Sequence, residues 1–125
     1  MKYKLGEKHK DFDLYRVVYL RDIPRHGIKK GTIGGWIAHE DNLSQEGDCV
    51  VLDDARVYGN AWVYGNAQVF DNATVFGNAM VFGGAWVGDN AKIGGNMALC
   101  ENRLYREAPT LLSQIIERSK KSLSK

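Results

Sequence analysis

The sequence predicts an all-β chain wound as a short parallel β-helix of about three coils, with a strand-rich cap before it and an α-helix after it. Three observations carry that prediction. The stretch VYGNAWVYGNAQVFDNATVFGNAMVFGGAWV, from Val57 to Val87, repeats nearly the same six residues. Each copy sets a small residue two positions before an aliphatic one, so inward and outward side chains alternate as in a strand. Pairs such as Gly59-Asn60 and Asp71-Asn72 separate the copies. Those residue types tolerate the positive φ of a tight corner.

Residues 1–48 are expected to form the N-terminal strand-rich cap and lead-in. Leu14–Ile23, "LYRVVYLRDI", is rich in β-branched and aromatic types and reads as a strand. Pro24-Arg25-His26-Gly27 reads as a turn, and Ile28–Ile37 supplies a second strand. A bare solenoid end would expose unpaired strand edges and apolar core. The hairpin covers that end, with Trp36 expected to plug the core.

Residues 49–100 are the coils. The aliphatic column runs Val51, Val57, Val63, Val69, Val75, Val81, Val87, Ile93, Leu99, and a column of mostly small residues runs two positions ahead, from Cys49 to Met97. A stack of hairpins fits poorly, because strands of about four residues fall below the usual length. Three hexads instead close one triangular coil, so each strand pairs with the strand 18 residues later.

Residues 101–125 are expected to form a C-terminal helix and a basic tail. Pro109 suits a first helical turn, where its missing N–H costs nothing. Leu111, Leu112, Ile115 and Ile116 fall on one stripe, with Thr110, Gln114, Glu117 and Lys121 opposite. The Ser-rich run Arg118–Lys125 reads as a solvated end rather than a nucleic-acid arm.

Composition narrows the function. A formal net charge of +2 supplies no field that would draw nucleic acid or an anionic membrane. No apolar run approaches the roughly 20 residues that span a bilayer, and the opening MKYK leads into no secretory segment. A cytoplasmic location is therefore expected. Cys49 and Cys100 lack metal-type spacing and are read as free thiols. Asp53, Asp71 and Asp89 would stack along one corner, but aspartate is an ordinary turn residue, and no metal site is expected.

The unit Val-Tyr-Gly-Asn-Ala-x resembles the hexapeptide repeat of left-handed β-helix proteins, best known from acyltransferases, and the resemblance covers residues 49–100. It implies a left-handed winding and a homotrimer; a twofold dimer through an apolar outer face is the competing assembly. It also implies acyl-CoA bound in a groove between subunits and a histidine acting as general base. A second stretch, KKGTIGGWIAHEDNLSQEGDCVV from Lys29 to Val51, is similar to the lead-in of bacterial and phage hexapeptide-repeat proteins labelled as transferases. Gly34-Gly35-Trp36 and Leu43-Ser44-Gln45-Glu46-Gly47-Asp48 carry that similarity, and it makes a phage accessory role one reading.

Folding the hexads by threes sorts the outward residues onto three faces. The first carries Trp62, Tyr64, Met80, Phe82, Ala98 and Cys100; the second includes Gln68, Phe70, Trp86 and Gly88; the third mixes Arg56, Tyr58, Thr74, Phe76 and Lys92. A monomer seldom leaves an apolar strip like the first in water. Trp62, Tyr64, Met80 and Phe82, with Trp86 and Phe70, are therefore the candidate oligomer or protein-binding residues.

An acyltransferase base needs an imidazole within reach of the acceptor. The histidines are His9, His26 and His39; none lies in the coils, and no insertion interrupts the hexads from Val51 to Leu99. His39, followed by Glu40 and Asp41, and His26 in its turn are the weak catalytic candidates. The expected function is a non-enzymatic oligomeric scaffold or protein-binding module that needs no cofactor. The alternative is an acyl-CoA-dependent acyltransferase with an inter-subunit active site.

Overall fold

The computed structural model describes residues 1–106, so the expected C-terminal helix and basic tail lie outside the described residues. Three longer strands come first: β1 (Tyr3–Lys8), β2 (Tyr15–Tyr19) and β3 (Ile33–Ile37). Each hexad then yields a two-residue strand: β4 (Val50–Val51), β5 (Arg56–Val57), β6 (Trp62–Val63), β7 (Gln68–Val69), β8 (Thr74–Val75), β9 (Met80–Val81), β10 (Trp86–Val87), β11 (Lys92–Ile93) and β12 (Ala98–Leu99). A last short strand, β13 (Leu104–Tyr105), follows the hexads.

The short strands stack in parallel at the register that the repeat predicts. Val57 lies beside Val75, and Val75 beside Ile93; Val63 lies beside Val81, and Val51 beside Val69. The aliphatic column is fully buried from Val51 to Ile93, as is nearly all of the alanine column beside it. Burial of one face against the turns above and below supplies most of the stability of such a stack.

The result is a β-solenoid of about four turns, one more than the hexads alone predict. The additional turn comes first and comprises β3, Leu43 and β4. Ile37 pairs with Val57, and Leu43 bridges in parallel to Val63. These partners are 20 residues apart, because Ser44–Asp48 holds two more residues than a hexad allows before Cys49. β13 closes the fourth turn against β10.

At the corners, the residue with positive φ is the first of each pair. Gly59 and Gly77 both sit at φ 65°, and Asp53, Asp71 and Asp89 at 55–56°. The Asp71 N–H donates to Asp53 Oδ2 (3.0 Å) and the Asp89 N–H to Asp71 Oδ2 (3.1 Å), so the stacked aspartates serve as corner residues. The asparagine that follows does something else. Asn60 donates to Asn78 Oδ1 (3.2 Å) and Asn78 to Asn96 Oδ1 (3.4 Å), a side-chain ladder up another corner.

The N-terminal cap extends one wall of this prism. β2 pairs antiparallel with β3 across the Pro24–His26 turn, and β1 pairs antiparallel with β2, giving a sheet ordered β1-β2-β3-β5-β8-β11. The plug is Tyr3 and Tyr19, both fully buried, rather than Trp36. The Tyr19 hydroxyl donates to Val51 O and accepts from the Val51 N–H, each at 2.8 Å. Trp36 faces outward because its register with Arg56 turns Ile37 inward. Its indole lies 4.0 Å from the Arg16 guanidinium carbon and 4.6 Å from the His9 ring. Gly34 and Gly35 lie against the coil so closely that a Cβ would strike the carbonyls of Val51 and Ala55. Among the described residues, no helix is long and apolar enough to cross a membrane.

Candidate functional site

Strand alternation and the 18-residue register bring four of the sequence-predicted residues onto one wall, the β6–β9–β12 sheet. Trp62 and Tyr64 stand two positions apart, both outward, and their rings stack with centroids 3.8 Å apart. Tyr64 then stacks on Phe82 one turn later, at 4.8 Å and nearly parallel. Met80 pairs with Trp62 across the strands, and its Sδ lies 4.0 Å from the Tyr64 hydroxyl. Trp62 is 42% exposed and Met80 37%, so a continuous aromatic and thioether surface faces water. Such side chains carry large contact area at low conformational cost.

The other two residues fall on the neighbouring wall. Phe70 meets Trp86 edge to face, with centroids 6.4 Å apart. The Phe70 ring lies over Gly88, where a Cβ would collide with it. Trp86 is 47% exposed.

Trp86 also borders an open cleft of about 570 Å³ that it shares with Arg25, His26, Asn66, Asn102 and Arg103. His26 Nε2 lies 3.0 Å from the Asn66 carbonyl, so this nitrogen carries the proton and donates. The other ring nitrogen, Nδ1, is buried and has no hydrogen-bond partner among the described residues. Burial holds the His26 pKa below its ordinary 6.5, and the ring is neutral at neutral pH. Arg25 Nε donates to Asp48 (3.1 Å) and Arg103 to Glu101 (3.1 Å). The Arg25 hydrogen bond is the main reason that the Asp48 pKa is lowered. Each guanidinium keeps N–H donors beyond these pairs, so the cleft can hold a small anion beside an indole. Sequence reasoning singled out only His26 and Trp86 here. Arg25 and Arg103 come from segments before and after the coils, and no spacing signal links them.

His39 stands elsewhere, at the start of the Glu40–Asn42 turn. Its Nδ1 accepts the Asp41 N–H at 3.1 Å and lies 3.3 Å from Asp41 Oδ2, with the imidazole 70% exposed. It caps a turn in water. Neither histidine joins the aromatic wall. Among the described residues, no group of His, Cys, Asp or Glu is placed to hold a metal ion.

Residues 55–69, 67–79 and 75–89 match the YdcK beta solenoid repeat, so the central coils are similar to that family's repeat. No curated protein matches the chain. Geometry and match agree that this is a β-solenoid repeat protein. The matching description names a solenoid repeat, neither a transferase nor a phage protein.

Proposed function

We propose that the chain is a non-enzymatic oligomeric scaffold in which the wall of Trp62, Tyr64, Met80 and Phe82 seats a second copy of the chain. One observation carries this reading: a stack of large apolar side chains on one sheet of the solenoid is left partly exposed by the described residues. The coils are taken to wind left-handed and to assemble as trimers, as in the acyltransferases that the hexads resemble; a twofold dimer is the competing assembly. Light scattering tests it. The wild-type chain is expected at three chain masses, and the Trp62→Ser/Met80→Ser double variant at one, with its circular dichroism unchanged. A monomeric wild type, or a double variant that stays assembled, overturns the scaffold reading.

The cleft beside Trp86 favours a second reading, capture of a small anionic ligand such as acyl-CoA. Its two guanidiniums and indole suit a phosphate-bearing ligand. Acyl transfer by His26 has little support, because one ring nitrogen is engaged by Asn66 and the other is enclosed. Calorimetry with acetyl-CoA followed by a turnover assay separates the cases. Saturable binding with turnover lost in His26→Ala or His39→Ala supports an enzyme, binding alone supports capture, and neither leaves the scaffold.

A further inference from the structure

Away from both surfaces, at the base of the solenoid, a buried amine meets a buried thiol. Lys2 is 2% exposed and Cys49 not at all. Lys2 Nζ lies 3.1 Å from Cys49 Sγ and 2.7 Å from the Cys49 carbonyl, with the carbonyls of Glu46 and Gly47 each at 3.5 Å. A lysine this buried is rare without a carboxylate partner, and among the described residues the side chain's hydrogen-bond partners are three carbonyls and one sulfur.

Both residues are fixed in place. The N–H groups of Lys2 and Tyr3 donate to Gln45 Oε1 at 2.8 and 3.1 Å, and Gln45 Nε2 donates back to Tyr3 O at 3.0 Å. Cys49 leads directly into β4, which is paired with β7. Burial lowers the Lys2 pKa and raises that of Cys49, which favours the uncharged amine and thiol. An uncharged amine has a lone pair to give.

We propose that Lys2 and Cys49 form an oxidation-triggered cross-link site, in which a peroxide oxidises the Cys49 sulfur and Lys2 Nζ captures it as a sulfenamide. In the first step the Lys2 amine takes the Cys49 proton across the 3.1 Å contact, and the thiolate attacks the peroxide. The O–O bond breaks, Cys49 becomes a sulfenic acid, and the departing hydroxide takes that proton back from Lys2 and leaves as one water. In the second, the Lys2 nitrogen attacks that sulfur, the N–S bond forms and the S–O bond breaks. The departing hydroxyl takes a proton from the nitrogen and leaves as a second water. Sulfur has then lost two electrons to the peroxide, and the chain has lost two hydrogens. Two equivalents of a thiol return the amine and thiol and leave the reductant as its disulfide. The bond joins residues 47 positions apart and ties the start of the cap to the first turn, a long loop whose closure stabilises the folded chain.

Intact-mass spectrometry tests this on the Cys100→Ser chain, which removes the exposed thiol, before and after hydrogen peroxide and then dithiothreitol. The expected result is a loss of about 2 Da, a peptide map joining Lys2 to Cys49, and full reversal by dithiothreitol. The oxidised form should melt at a higher temperature than the reduced one. Lys2→Gln in the same background should gain oxygen at Cys49 and form no cross-link. The proposal is overturned if Cys49 gains oxygen while Lys2 is intact and stays unlinked. It is equally overturned by a bridge that retains an oxygen, or by a thiol that stays reduced in the folded chain.

Discussion

Turns two to four and the first turn bury the same aliphatic column, but they satisfy their backbones differently. In the repeated turns, amide and carbonyl groups bond from turn to turn, as Arg56 N–H does to Ala73 O (2.9 Å) and Thr74 N–H to Ala91 O (2.8 Å). The first turn bonds to the second in the same way, as Trp36 N–H does to Ala55 O (2.8 Å), and its β3 is paired by β2 on the other side. Around Leu43 and β4, however, side chains take over. Asn42, buried, accepts the N–H groups of Ala38 and His39 and donates to the carbonyls of Gly59 and Ala61. Gln45 holds Lys2 and Tyr3, and the Tyr19 hydroxyl serves both polar groups of Val51. A stack that grows by backbone pairing must end in a capping strand or in polar side chains, and this one uses both, because buried amides and carbonyls left without partners are costly.

The largest effect that tests this contrast is expected at Gly34. Its Cβ would press on the Val51 carbonyl and the Tyr19 ring, so Gly34→Ala should cost about 3 kcal/mol or prevent folding. Gly95, at positive φ but with no described residue near its Cβ position, should cost only about 1 kcal/mol as Gly95→Ala. Urea unfolding of both variants decides it, and equal losses would break the distinction. Next comes the corner of a repeated turn. Asp71→Ala loses both a residue suited to left-handed backbone and the carboxylate that accepts the Asp89 N–H, for about 1 kcal/mol. Asp71→Gly restores the backbone freedom alone, so its midpoint separates the two contributions.

The smallest effect is expected at His26, where the cap leans on a repeated turn. Its folded-state pKa lies below the unfolded 6.5, so the unfolded chain binds more protons as pH falls through 6.5. This group therefore costs stability below that pH and none well above it. The denaturant midpoint should drop between pH 7 and pH 5 by more in the wild type than in His26→Gln. A drop of the same size in both would remove His26 as the cause.

The repeated turns were legible because each hexad states its own inward and outward residues, and folding by threes then placed Trp62, Tyr64, Met80 and Phe82 on one wall. The first turn was not. Gly35-Trp36-Ile37 obeys the same small-x-aliphatic rule, but the two extra residues in Ser44–Asp48 break the count before it reaches Leu43. The same rule, applied to Trp36, would have turned it outward; reading it as a plug weighed size above alternation. β1 went unread because its charged residues, Lys4, Glu7 and Lys8, hide a strand whose buried anchor is Tyr3. The cleft beside Trp86 was beyond sequence for another reason, since its cations arrive from opposite ends of the chain.

The strict eighteen-residue register has an evolutionary side. A gene segment encoding one whole circuit, such as residues 57–74, could be duplicated or deleted without misaligning any valine above or below the splice. Molecular length in this architecture is therefore quantised, each copied segment adding about 4.8 Å of rod. A lineage could lengthen or shorten the wall it offers for assembly one notch at a time, leaving the base untouched.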